Sequence, residues 1–115
     1  MVEPEDNADL VSDAVFQDMK LHLEFNVEPH SNSGVFLRGR YEIQILDDPE
    51  MTGDTHGCGA LYSRIAPSKD ATKPAGEWQT FDITLVGRQL SVVLNGEEIV
   101  SGTDEGITGG AINPF

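Results

Sequence analysis

Apolar and polar residues alternate with period two along most of the chain, and helical spacing is scarce. In "MKLHLEFNVE", Leu21, Leu23, Phe25 and Val27 point one way, and His22, Glu24 and Asn26 point the other. Successive side chains of a strand face opposite sides, so this segment predicts a strand with one greasy face. "NSGVFLRGRYEIQILDD" carries the same rhythm: Val35, Leu37, Tyr41, Ile43 and Ile45 alternate with Arg38, Arg40, Glu42 and Gln44. Gly39 interrupts it. A bulge at Gly39, or a hairpin looped through Arg38-Gly39-Arg40, keeps Leu37 and Tyr41 on one face. A two-residue loop would set Leu37 beside Glu42, so the bulge or the three-residue loop is expected.

Further strands follow by the same argument. "CGALYSRI" predicts a short strand after the loop "DDPEMTGDTHG", and "APSKDATKPAGE" is a long connection rich in turn formers. "WQTFDITLVG" puts Phe81, Ile83 and Leu85 on one face and Thr80, Asp82 and Thr84 on the other. "RQLSVVLNGEEIVSG" predicts a hairpin turning at Asn95-Gly96, a strong short-range hairpin signal. "TDEGITGGAINPF" predicts a closing loop. The expectation is roughly six to eight strands in a single all-β sandwich spanning residues 1–115. Twelve glycines and six prolines in 115 residues agree with many turns.

Charge narrows the partners. Seven Lys and Arg against 20 Asp and Glu give a net charge of −13. Nucleic acid and anionic membranes require a cationic footprint, so neither is expected as a partner. No apolar run approaches the roughly 20 residues of a membrane span. No signal peptide is expected from "MVEPEDNADL", and the compartment is not legible. Cys58 is the single cysteine, which excludes an internal disulfide.

The polar faces hold the candidate chemistry. His22 and Glu24 stand two residues apart, about 6–7 Å along a strand, and Glu42 and Gln44 repeat that spacing. If both strands share a sheet, an imidazole, two carboxylates and an amide meet within a sugar's width. Carboxylates, amides and Arg forks match sugar hydroxyls. Phe36, Tyr62 or Trp78 would supply an aromatic surface for the C–H face. The alternative is a solvated face with ordinary ion pairs, each contributing about 0–1 kcal/mol. Spacing leaves both open. Trp78, the only tryptophan, is expected in the core.

Four segments, "FQDMKLHLEFNV", "SNSGVFLRGRYEIQILD", "CGALYSRIAPSKDATKPAGEWQTFDITL" and "VVLNGEEI", together resemble the 3-keto-disaccharide hydrolase family of bacterial domains. The similarity runs from about Asp9 to Gly110, in order. It implies a concanavalin A-like jelly roll of two antiparallel sheets with a curved polar face for sugars. Family members begin with an additional strand and end with one after "TGGA", so this chain resembles a shortened member, incomplete at the C-terminal strand. Such a member leaves a sheet edge for a partner or a second copy. The family's members are mostly exported.

The resemblance also implies a chemistry. A ketone at sugar C3 acidifies the C2 proton, a base removes it, the C1 group leaves, and water adds back. Glu24, His22 and Glu42 are the expected catalytic groups. Arg38, Gln44, Asn32 and Tyr62 are the expected substrate-binding groups, with Arg38 or a divalent metal on the enolate. A non-catalytic carbohydrate-binding module and an interaction domain pairing through its open edge are the alternatives. An ordinary glycosidase would need two carboxylates about 5–9.5 Å apart, a demand Glu24 and Glu42 would have to meet across neighbouring strands. The saccharide expectation therefore depends on Glu24 and Glu42 meeting in one hollow.

Other motifs are weak. "HGC", with His56 and Cys58, falls short of a zinc signature. Asp47, Asp48, Glu50 and Asp54 form an acidic loop without the EF-hand pattern. No motif thus indicates a cofactor, and a divalent ion such as Ca²⁺ or Zn²⁺ stays open. Ser31, Ser33 and Ser63 stand in no nucleophile elbow. Asn32 is equally a turn-shaping residue, and Asn95 is expected to be a turn residue only.

Overall fold

The computed structural model describes residues 18–37, 41–48 and 53–103. Six strands form two antiparallel sheets among these residues. They are β1 (Met19–Phe25), β2 (Asn32–Leu37), β3 (Tyr41–Leu46), β4 (Gln79–Val86), β5 (Gln89–Leu94) and β6 (Glu97–Thr103). Sheet A has the order β1-β4-β5-β6, and sheet B pairs β2 with β3. This is the expected all-β sandwich, consistent with an open jelly roll of the concanavalin A-like kind.

Alternation builds the core. In sheet A, Leu21 pairs with Ile83 and Leu23 with Phe81, so both strands turn the same set of apolar residues inward. The Phe25 and Phe81 rings stack with centroids 4.9 Å apart. Ile43, Ile45 and Leu37 of sheet B join Phe81, Ile83, Leu85, Val92 and Leu94 of sheet A in one buried cluster. At roughly 25 cal/mol per Å² of apolar area removed from water, this shared layer is the main force holding the sheets together.

The connections follow the turn chemistry. Asn95 and Gly96 both have positive φ, 51° and 86°, as a two-residue hairpin of primed type requires. Leu37 pairs with Tyr41, so β2 and β3 form a hairpin whose connection is residues 38–40, and parity is kept. A register shift opposite Val92/Val93 leaves Ile99 between the pairs Val92–Val100 and Val93–Glu98. That bulge explains how consecutive Ile99 and Val100 are both buried.

Two expectations are corrected. "CGALYSRI" is not a regular strand: it makes two isolated bridges, Leu61 to Ile43 and, within the segment, Leu61 to Ile65. Ser63 has φ 62°, and Arg64 and Ile65 N–H both donate back to the Leu61 carbonyl, which turns the chain over on itself. Trp78 is 52% exposed and not in the core. It precedes β4, and the buried position there goes to Gln79, whose amide bonds the Lys73 backbone at 2.9 and 3.2 Å.

Candidate functional site

The two strands that carry the expected carboxylates lie in different sheets. Ile43 and Ile45 point into the core, so Glu42 and Gln44 take the outer face of sheet B. Leu21, Leu23 and Phe25 point into the same core from the other side, so His22 and Glu24 take the outer face of sheet A. The apolar layer therefore separates Glu24 from Glu42, and the expected shared hollow is not formed. Nor can these two serve as a glycosidase pair. Strand parity sets the face a side chain takes within its own sheet and leaves open which sheet that is.

On sheet A, His22 pairs with Asp82 and Glu24 with Thr80. His22 Nδ1 lies 2.6 Å from Asp82 Oδ1, with both side chains more than half exposed. The carboxylate raises the His22 pKa above its ordinary value, through the hydrogen bond first and charge second. This is the solvated ion pair weighed at the outset, of small energetic weight.

Sheet B gathers the other half of the set. Gly34 pairs with Gln44, Phe36 with Glu42, and Asn32 with Leu46, so Asn32, Glu42 and Gln44 share a face. The segment 59–62 runs along the free side of β3: Gln44 N–H donates to Ala60 O at 3.0 Å, and Tyr62 N–H to Glu42 O at 2.9 Å. Leu61 lies opposite Ile43 in the core, so Tyr62 falls beside Glu42 on the outer face. Arg38 lies outside the described residues.

Glu42 is buried to 9% and Gln44 to 3% exposure. Burial pushes the Glu42 carboxyl pKa up, since a low-dielectric surrounding disfavours the charged form. The Gln44 amide donates through Nε2 to the His56 carbonyl at 3.3 Å. Its Oε1 is buried with no hydrogen-bond partner. Leaving such an acceptor unmet costs about 1–3 kcal/mol. No group of three or more His, Cys, Asp or Glu among the described residues is placed to hold a metal ion. A cavity of about 280 Å³, lined by residues including Val27, Asp47, Cys58, Asp70 and Lys73, lies elsewhere and touches none of the expected site residues. Cys58 packs against the core and its thiol pKa is raised by burial.

His56 was legible only as part of "HGC". In the fold its ring meets Tyr62 edge-on, with centroids 4.8 Å apart, at the rim of the sheet B face. It also bonds Asp54 and Ser63. The loop closure that assembles these residues has no signature in local spacing.

The chain matches the 3-keto-alpha-glucoside-1,2-lyase-like domain family over residues 1–113. The sequence matches no curated protein. Three solved structures of Parabacteroides distasonis proteins, each described as a "putative glycosyl hydrolase", are similar in fold. The first is 25% identical with a TM-score of 0.67, over 83% of this chain and 61% of its own. The second is 24% identical with a TM-score of 0.74, over 90% and 53%. The third is 20% identical with a TM-score of 0.65, over 76% and 50%. The matched region thus spans less than two thirds of each of these structures.

Proposed function

The chain belongs to the 3-keto-alpha-glucoside-1,2-lyase-like domain family, and from that premise, the hollow shared by Glu24 and Glu42 being absent, we propose that it acts as a hydrolase or lyase on 3-keto-glycosides through Glu42 alone, at the outer face of sheet B. One observation carries the proposal: Glu42 and Gln44 are buried side by side, one with a raised pKa and the other with an unmet acceptor. Perturbed pKa values cluster at functional sites, which makes this pair a site candidate.

The chemistry assigned to them is proton transfer beside a ketone. Glu42 as carboxylate takes the C2 proton, and as acid it gives a proton to the departing C1 oxygen. A raised pKa moves Glu42 in the direction that a group serving as both base and acid requires. Asn32 and Tyr62 flank the ring, Gln44 backs the site from beneath, and Arg38 is the proposed holder of the enolate oxygen. His22 and Glu24 have no part in this scheme.

Turnover of a 3-keto-glucoside tests it. Glu42→Gln should lower kcat by about 10²–10⁴, the usual contribution of a general acid–base, while Glu24→Gln leaves kcat unchanged. Loss of activity in Glu24→Gln with Glu42→Gln unaffected would reverse the assignment. The separation of Glu24 from Glu42 favours a second reading, a binding module without catalysis. It expects saturable binding of the 3-keto-glucoside by the wild-type chain and no turnover.

A further inference from the structure

Asp54, His56 and Ser63 are joined through the His56 ring. Nδ1 lies 2.9 Å from Asp54 Oδ1, and Nε2 lies 3.0 Å from Ser63 Oγ. A carboxylate only accepts, so the neutral ring keeps its proton on Nδ1 and offers the Nε2 lone pair to the Ser63 hydroxyl. Thr55 Oγ1 is farther from Nδ1, at 3.4 Å. Asp54 also accepts from the His56 backbone N–H at 2.8 Å, and these bonds lower its pKa. The ring is further fixed by its edge contact with Tyr62 and by the Gln44 bond to the His56 carbonyl. Ser63 is exposed, with its backbone held at φ 62° and its N–H on the Thr55 carbonyl. A base within reach of a hydroxyl and oriented by a third group is the arrangement that activates a nucleophile.

We propose that Asp54, His56 and Ser63 form an acyl-transfer relay in which Ser63 attacks small, unhindered carboxylic esters. Ser63 Oγ bonds to the carbonyl carbon while its proton passes to His56 Nε2 and the C=O π pair moves onto oxygen. Collapse of that adduct breaks the bond to the alcohol oxygen, which leaves with the proton from Nε2. Water then gives a proton to Nε2, attacks the acyl-serine and releases the acid, and Ser63 recovers its proton. Asp54 holds the ring and its charge, and it stays ionised throughout. The backbone N–H groups of Tyr62, Ser63, Arg64 and Ile65 already donate to chain carbonyls. None of the four can cradle the oxyanion, and one such donor contributes roughly 10²–10³ in kcat. The relay is therefore slow, and its signature is a covalent adduct. This activity uses neither Glu42 nor a sugar, although His56 adjoins Tyr62 and Gln44 of the sheet B face.

The test is reaction of the full chain with an alkyl fluorophosphonate, followed by peptide mass mapping. The expected result is one phosphonyl group, on Ser63. It should be absent in Ser63→Ala and in the urea-unfolded chain, and form at least about tenfold more slowly in Asp54→Asn and His56→Asn. If His56→Asn fails to fold by circular dichroism, Asp54→Asn decides alone. No adduct at Ser63, or equal labelling rates in the wild type and the folded variants, would overturn the relay.

Discussion

The Glu42 side chain lies across Gly34 on the neighbouring strand: a Cβ built on Gly34 would stand 2.8 Å from Glu42 Cγ and 2.9 Å from its Cδ. The bare backbone of Gly34 is what lets a buried carboxyl settle on the outer face of sheet B. Gly34→Ala must therefore displace Glu42 or shift the hairpin. Overpacking of this kind costs about 1–3 kcal/mol. A urea midpoint lowered accordingly, together with a loss of turnover like that of Glu42→Gln, is the expected outcome.

Glu42 also sets a pH dependence. Its folded pKa is raised by burial, so the native state holds its proton longer than the unfolded chain. Its contribution to stability is complete below the ordinary Glu value and declines as pH rises through the raised one. Glu42→Gln removes that decline. Urea unfolding at about pH 4 and pH 7 should show the variant gaining on the wild type at the higher pH. Parallel curves would mean that Glu42 is not desolvated.

His22 gives the opposite charge type. Asp82 holds its pKa above the ordinary histidine value. The stabilisation is present below that ordinary value and is lost as pH rises through the raised one. In an NMR titration, Asp82→Asn should move the His22 midpoint down. Because the pair is exposed, the thermal stability of the variant should stay near that of the wild type.

Asn95 is more than the turn residue expected from "LNG". Its Oδ1 accepts from Thr80 N–H at 2.9 Å, and its Nδ2 donates to Ala71 O at 2.8 Å and Gln79 Oε1 at 3.1 Å. The side chain thus ties the β5–β6 turn to β4 and to the long connection before it. Asn95→Gly keeps the freedom to adopt positive φ and loses every one of those bonds. It should destabilise by about 1–3 kcal/mol in denaturant unfolding. A glycine variant as stable as the wild type would reduce Asn95 to its turn geometry.

The contrast between Asn95 and Glu24 shows where the sequence is informative. The Asn-Gly turn, the Leu37–Tyr41 parity and the inward set Phe81, Ile83 and Leu85 follow from nearest-neighbour rules, and all three are present. Which strand joins which sheet depends on long-range pairing, so the meeting of Glu24 and Glu42 was not readable and does not occur. Trp78 misled because its apolar area argues for burial, whereas Gln79 fills that place through hydrogen bonds to the Lys73 backbone. The Asp54–His56–Ser63 cluster arises from a loop folding back on itself, which no periodicity encodes.

Titration of the isotopically labelled chain with a 3-keto-glucoside, followed by amide and side-chain chemical shifts, tests the sugar assignment most directly. Saturable shifts should centre on Asn32, Glu42, Gln44 and Tyr62, with the Gln44 side-chain amide among the largest, and leave His22 and Glu24 unmoved. Shifts centred on the outer face of sheet A, or no saturable shift at all, would contradict it.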